Sequence, residues 1–125
     1  MANYVICSSS TSPNIHGYAF SASGWGSKYA NPATPSQTIT GVSVSTSPDN
    51  ATVYLNYGQA WAWTVASGFG TKYTSVSSPS LGFGRGAKRI GSNVFFSGDG
   101  TPFIAAYPWF NSTGFGTAYS NPVTL

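Results

Sequence analysis

Apolar and polar residues alternate with a period of two in several segments of the chain, and this period predicts β-strands. The clearest case is residues 59–66, QAWAWTVA, whose large side chains share one face and whose small ones share the other: Trp61, Trp63 and Val65 against Ala60, Ala62 and Thr64. A solvated face would carry polar residues in place of the alanines. We therefore expect a sheet that is buried on both faces, with rings of one sheet packed over alanines of the next.

The middle third of the chain predicts four consecutive antiparallel strands. Residues 41–45, GVSVS, form a short alternating segment, and the turn-forming SPDN follows at 47–50. Segments 51–58 and 59–66 predict the second and third strands, and the more polar segment 69–76 predicts the fourth. Because the chain contains no Glu and has Gly or Pro every few residues, long helices are not expected.

A six-residue motif occurs three times, with similar flanking segments. The copies are GWGSKY (24–29), GFGTKY (68–73) and GFGTAY (114–119). An aromatic pair precedes each copy: Tyr18 and Phe20, Trp61 and Trp63, Tyr107 and Trp109. A polar segment follows each copy: YANPAT (29–34), YTSVSS (73–78) and YSNPVT (119–124).

These repeats predict a single repeat domain over residues 1–125, with units of about 1–40, 41–80 and 81–125. A period near this length is typical of stacked or radial arrays. VSVSTSPDN (42–50) and NVFFSGDG (93–100) align with Asp49 and Asp99 in register.

The run VSVSTSPDN–ATVYLNYG–QAWAWTVASG resembles a WD-repeat-like β-propeller blade. AYPW (106–109), SGFGTKY (67–73) and YANPAT (29–34) resemble repeats of uncharacterised bacteriophage propeller-type proteins. The resemblance implies an all-β fold of antiparallel blades. Compared with such a blade, the third unit has a shortened or lost strand, and the first unit begins at its second strand, without an innermost one. Propellers close with four to eight blades, and this chain holds fewer than three, so we expect oligomerisation to complete them. A β-trefoil or β-prism, each with three repeats in a chain of this length, is the alternative.

The composition favours an aromatic β-protein and offers little for catalysis. Charged residues make up 6% of the chain, yet it has 4 Trp, 8 Tyr and 8 Phe, which is the reverse of a disordered composition. The acid–base groups are His16, Cys7 and two turn aspartates, and one His does not make a metal cluster. We therefore predict no enzymatic activity, cofactor or metal. Cys7 lies in the apolar run YVIC and is predicted to be reduced and buried.

Three of the five positive charges lie in GFGRGAKR (82–89), which the glycines predict to be an exposed loop. Arg85, Lys88 and Arg89 are therefore candidates for binding an acidic partner. The patch is too small to predict nucleic-acid binding. No apolar run approaches 18 residues, and the N-terminal segment lacks the features of a signal peptide, so neither membrane insertion nor secretion is predicted.

Two classes of function remain. The phage-like repeats favour a structural virion component, a capsid decoration or tail accessory subunit, which is made in the host cytoplasm and assembles with itself and with other virion proteins. The alternative is an oligomeric propeller-type lectin, in which exposed Trp25 stacks on a glycan. A lectin would more often carry the same aromatic and polar set in every unit, and Trp25 is Phe in the other two units.

Overall fold

The computed structural model describes residues 3–9, 14–32, 44–46, 49, 51–55, 58–76, 81 and 84–122. Within these ranges the regular structure is entirely β-strand, which confirms the all-β prediction. In the same ranges no helix is long and apolar enough to cross a membrane.

The strands form three antiparallel sheets, each with its strands in chain order. Sheet 1 contains β1 (Asn3–Ser8), β2 (Ile15–Ser21) and β3 (Gly24–Lys28). Sheet 2 contains β4 (Val44–Thr46), β5 (Thr52–Leu55), β6 (Gln59–Thr64) and β7 (Gly68–Lys72). Sheet 3 contains β8 (Gly84–Ile90), β9 (Asn93–Gly98), β10 (Ile104–Phe110) and β11 (Gly114–Phe115). Within the described residues, sheet 1 thus has three strands and no counterpart of the first strands β4 and β8.

The repeated motifs occupy matching places in the three sheets. The aromatic pairs lie on β2, β6 and β10, and the glycine-flanked ring of each motif lies on β3, β7 and β11. One backbone hydrogen bond also recurs: the N–H groups of Tyr29, Tyr73 and Tyr119 donate to the carbonyls of Gly17, Ala60 and Ala106, each at 2.9 Å. Residues at matching places are called counterparts below.

Sheet 2 lies between the other two sheets and is buried on both faces. Toward sheet 1, a cluster contains Ile15, Val53, Leu55, Trp61 and Trp63. Toward sheet 3, a second cluster joins Tyr54 and Ala60 of sheet 2 to residues of sheet 3 that include Val94, Phe96, Tyr107 and Trp109. The predicted separation of rings and alanines on β6 is confirmed, since Trp61 and Ala60 are buried in different clusters.

The Gly-rich segment is a strand, so the predicted loop is wrong for residues 84–89. β8 pairs with β9 along its length, and a register shift between Gly84 and Gly86 accommodates the glycines. Ala87 is buried against sheet 2, and this contact supports the strand although glycine has little intrinsic preference for one. Residues 82 and 83 lie outside the described ranges.

The alignment of the second and third units is also wrong. Sheet 3 has four strands, because β8 is the counterpart of β4 and no strand is lost. Asp49 therefore lies between the first and second strands of its sheet, whereas Asp99 lies between the second and third strands of sheet 3. Asp49 accepts a hydrogen bond from the Ala51 N–H at 3.2 Å, as expected of an aspartate in a turn.

Cys7 is exposed, so its predicted burial is wrong. Tyr4 and Ile6 of β1 face sheet 2, so the alternation of the strand turns Cys7 to the opposite side. Its counterparts Leu55 and Phe96 are buried because a neighbouring sheet covers them. An apolar run predicts the strand but not whether another sheet lies against each face.

Candidate assembly faces

The contact between sheets 1 and 2 is built around Trp63. Its ring lies over Gly17, where a Cβ atom would stand 2.9 Å from the indole. The ring centroids of Tyr29 and Phe69 are 5.0 and 4.9 Å away, both nearly edge-on, and Tyr4 approaches to 5.1 Å. The Tyr29 hydroxyl also donates to the Val65 carbonyl at 2.8 Å. Edge-to-face pairs of this kind add to the energy of burial.

The contact between sheets 2 and 3 repeats this arrangement with counterpart residues. Trp109 takes the place of Trp63, and the rings of Tyr73 and Phe115 lie 4.9 and 5.0 Å from it. Tyr73 meets Trp109 at the same interplanar angle, 75°, as Tyr29 meets Trp63. The Tyr73 hydroxyl donates to the Asn111 carbonyl at 3.3 Å. In each contact, aromatic residues of one sheet therefore pack against a tyrosine of the preceding sheet, and a small residue of that sheet, Gly17 or Ala60, is part of the same contact.

Sheet 1 has an aromatic face that no sheet within the described residues covers. This sheet 1 outer face consists of Val5, Cys7, His16, Tyr18, Phe20 and Trp25. Phe20 is 38% exposed and Trp25 is 65% exposed, whereas Trp63, the counterpart of Phe20, is 2% exposed. Trp25 packs edge-on against Phe20 and Tyr18, at centroid distances of 5.4 and 5.7 Å.

Sheet 3 has a face at the other end of the stack that no other sheet of the described residues covers. This sheet 3 outer face consists of Lys88, Phe95, Ile104, Ala106 and Tyr119. Two adjoining hollows of about 170 and 120 Å³ lie on it, and Phe95 and Ile104 line both. Tyr119 is 52% exposed, and its hydroxyl donates to Asn93 Oδ1 at 2.9 Å. Its counterparts Tyr29 and Tyr73 instead reach across to the next sheet.

The three predicted partner-binding residues do not form one patch. Arg85 and Asp99 form an exposed ion pair at 2.6 Å. Lys88 is exposed and lies opposite Phe95 in the strand register, on the sheet 3 outer face. Neither ion pair within the described residues involves Lys88. The role of these residues in partner binding stays a prediction, but they do not act from a common loop.

Arg89 lies between sheets 2 and 3. Its side chain is 13% exposed, with Nη1 3.9 Å from Asp49, and its Nε donates to the Gly91 carbonyl at 2.9 Å. Burial raises the pKa of the neighbouring Tyr54 phenol, and the positive charge of Arg89 partly offsets this shift. Arg89 therefore has a structural position between two sheets.

The alternative glycan residue, Trp25, is accessible, as stacking on a sugar requires. A polar cleft of about 530 Å³ lies elsewhere, between β7 and the turn before β11, and Lys72, Tyr73 and Asn111 are among its lining residues. Lys72 is held over the Trp61 ring, with Nζ 5.3 Å from its centroid. Trp25 and this cleft belong to different sheets, so they do not form one site.

The described residues bring together no group of three or more His, Cys, Asp or Glu side chains. His16 faces outward from β2, opposite Cys7 in the strand register. Burial lowers the pKa of His16, and the charge of Lys28 lowers it further. His16 Nδ1 is buried and has no hydrogen-bond partner within the described part of the chain.

Sequence reasoning missed Phe20, Ala106 and Tyr119 as candidate interaction residues. The signal was present in the repeats, because Tyr119 ends the third motif just as Tyr29 and Tyr73 end the first two. Only the packing of the sheets shows that this tyrosine reaches the following unit. No protein-family model matches this chain, and no curated protein matches it in sequence.

Proposed function

We propose that this protein is a non-enzymatic structural subunit of a bacteriophage virion, a capsid decoration or tail accessory protein that acts by assembling with itself and with other virion proteins. The observation that carries the assembly role is the pair of uncovered apolar faces at the two ends of the sheet stack. Contiguous exposed aromatic residues on a folded domain mark interaction sites more often than chance. The phage assignment rests on the resemblance of the repeats.

The packing supports blades over a β-prism. In a β-prism, each sheet turns one face into a single common core, whereas sheet 2 buries opposite faces in two separate clusters. The first strands of neighbouring sheets also approach each other, since β4 contacts β8. Both features fit blades arranged about an axis, with their first strands innermost.

Mass spectrometry of purified particles tests the virion role. Particles from a host that carries this gene should contain the chain in a fixed ratio to the major capsid or tail protein, and the ratio should persist through a second density gradient. If the chain stays in the soluble lysate and is lost from the gradient-purified particles, the virion role is wrong.

Attachment of the purified protein to particles that lack it tests the charge contribution. Lys88→Ser removes a positive charge without removing either of the two ion pairs within the described residues, whereas Arg85 and Arg89 each have an acidic neighbour within this chain. If Lys88 contacts an acidic partner, attachment of the wild type weakens as salt is raised, and the variant loses part of that dependence. Arg85→Ser is the matched control on the same strand.

A lectin is the second candidate, supported by the exposed Trp25 ring. It would bind glycans through this ring, and Trp25→Ala would abolish binding while Lys88→Ser would not. Free monosaccharides would then displace the protein from its target. Displacement by sugar without any effect of salt would favour the lectin over the virion subunit.

A further inference from the structure

We propose that copies of this chain associate head to tail, with the sheet 1 outer face of one copy packed on the sheet 3 outer face of the next. This pairing rests on the proposed assembly function and specifies its first step. The partner is a second copy because each outer face is the counterpart of one half of a contact that the chain already makes twice.

The aromatic half comes from sheet 1. Phe20 is the counterpart of Trp63 and Trp109, whose rings are both buried on the preceding sheet. Ala106 is the counterpart of Gly17, which lies beneath the Trp63 ring, and of Ala60, which is buried in the same cluster as Trp109. In the pairing, Phe20 of one copy lies over Ala106 of the other, at the hollow that Ala106 lines with Phe95 and Ile104.

The tyrosine contact completes the match. A Cβ atom on Gly68 would stand 2.7 Å from Tyr29 Cβ, and one on Gly114 would stand 3.0 Å from Tyr73 Cβ. Gly24 has the same left-handed backbone, with a φ of +103°, but no described atom lies within 4 Å of its Cβ position. The space beside Gly24 is where Tyr119 of a second copy would lie.

The hydroxyl of that tyrosine has a defined acceptor in the pairing. Tyr29 and Tyr73 donate to the carbonyls of Val65 and Asn111, each three residues before the glycine it packs on. The same spacing places the Ser21 carbonyl of one copy opposite the Tyr119 hydroxyl of the other. Tyr119 would exchange its exposed bond to Asn93 for this one.

Two further positions on sheet 1 become buried. The Val5 counterparts, Val53 and Val94, are fully buried, and so are the Cys7 counterparts, Leu55 and Phe96. Cys7 is exposed in the single chain. Its thiol therefore reports directly on whether this face is covered.

Lys88 does not oppose the pairing, although it lies on the sheet 3 outer face. It belongs to β8, the first strand of sheet 3, and the described part of the chain contains no counterpart of β8 in sheet 1 to place against it. The gap leaves room for the ammonium group to stay in water, which avoids the cost of burying an unpaired charge.

A contact between two different faces generates a ring if its rotation closes and a filament if it does not. Two copies would bring together six sheets, within the four to eight blades of closed propellers. Three copies are the next possibility.

Sedimentation velocity across a micromolar concentration series tests the pairing, with Cys7 labelling by Ellman's reagent as a second readout. The wild type should associate, and its Cys7 should react more slowly as the protein concentration rises. Phe20→Ser combined with Trp25→Ser should raise the dissociation constant by about thirtyfold or more, as expected for aromatic anchors. A wild type that stays monomeric, or a Cys7 that stays equally reactive when associated, overturns the proposal.

Complementation distinguishes head-to-tail pairing from a face that pairs with itself. Ala106→Arg blocks the other face, and Tyr119→Ala is a milder variant of it should the arginine impair folding. Each blocked variant alone should be monomeric, and an equimolar mixture of opposite variants should form a one-to-one dimer through the one intact pair of faces. If either variant associates alone as well as the wild type, the two faces are not each other's partners.

Phe110→Ser is the matched control, because Phe110 is an exposed ring whose counterpart Thr64 stays exposed beside a covering sheet. It should leave association unchanged. The outcome is separable from the virion role: an associating protein that is absent from particles refutes the role alone, and a monomer found in particles refutes the pairing alone.

Discussion

Phe20 on sheet 1 and Trp63 on sheet 2 hold counterpart positions in neighbouring sheets, yet they have opposite environments. Trp63 is 2% exposed and is surrounded by Tyr4, Tyr29 and Phe69. Phe20 is 38% exposed and meets only Trp25 among the rings within the described residues. The strands, register and turns around the two are alike, so the difference arises from the neighbouring sheet.

This comparison shows that the pattern along the strands determines which side chains share a face. The order of the sheets determines which of these faces are covered. Each sheet has an aromatic side and a side with small residues. The described residues form two contacts between sheets and leave one side of each kind uncovered, on sheet 1 and on sheet 3. The aromatic residues of sheet 1 are therefore unmatched in one copy, although they follow the same pattern as the core.

The largest expected effect comes from truncating the two counterpart rings. Trp63→Ala should lower the free energy of unfolding by roughly 3–5 kcal/mol, the usual loss for a buried large aromatic, and Trp109→Ala should do the same. Phe20→Ala should cost less than about 1 kcal/mol in the monomer, since exposed positions contribute little. Urea denaturation of each variant, at a protein concentration low enough to keep the chain monomeric, measures the three losses. Equal losses for Phe20 and Trp63 would show that sheet 1 is covered within a single chain.

Glycine substitutions sharpen the comparison at the turn before the last strand. Gly68 and Gly24 have φ values of +80° and +103°, so alanine costs about 1–2 kcal/mol of backbone strain at either site. Gly68→Ala also forces a Cβ to within 2.7 Å of Tyr29 Cβ and should cost clearly more. Gly24→Ala should cost the strain alone in the monomer. Thermal unfolding of both variants measures the two losses of stability. A greater loss for Gly24→Ala than for Gly68→Ala would contradict the prediction.

The tyrosine hydroxyls should give an effect of about 1 kcal/mol, the usual net value of one hydrogen bond. Tyr29→Phe removes the bond to the Val65 carbonyl, which is partly buried between two sheets. Tyr119→Phe removes an exposed bond to Asn93 and should cost less in the monomer. Equilibrium unfolding of the two variants compares them. If the two variants lose the same free energy of unfolding, the hydrogen bond between two sheets is worth no more than the exposed one.

The strands that the sequence predicted correctly are those in which the alternation of side chains indicates which face is buried. β6 was predictable because Trp61 and Trp63 alternate with alanines. β8 was not, because Gly84 and Gly86 signal a loop and the stabilising contact of Ala87 comes from another sheet. Assigning Asp49 and Asp99 to equivalent turns failed for the same reason, since similar turn residues occur between different strand pairs.

The candidate faces were less predictable than the strands. The exposure of Trp25 was expected under the lectin alternative. Neither the exposure of Cys7 nor the importance of Tyr119 was predictable, because their surroundings depend on the order of the sheets. Period-two alternation separates the two sides of a strand. The alternation does not show whether another sheet covers either of these sides.

The smallest expected effect is the pH dependence contributed by His16. Its position is occupied by Gln59 in sheet 2 and Ala105 in sheet 3, neither of which titrates, so His16 adds a pH dependence that only sheet 1 carries. Burial lowers its pKa below the usual 6.5, and the nearby Lys28 adds to the shift. Between the lowered pKa and 6.5 the unfolded chain binds more protons than the folded one. The stabilising contribution is therefore full above pH 6.5 and is lost as the pH is lowered through this window.

Denaturation of the wild type and His16→Gln at pH 8 and pH 5.5 should show a slightly larger loss for the wild type. Lys28→Gln should remove only the smaller part of the difference, because burial is its main cause. If His16→Gln and the wild type lose the same free energy, the imidazole is as well solvated in the folded monomer as in the unfolded chain.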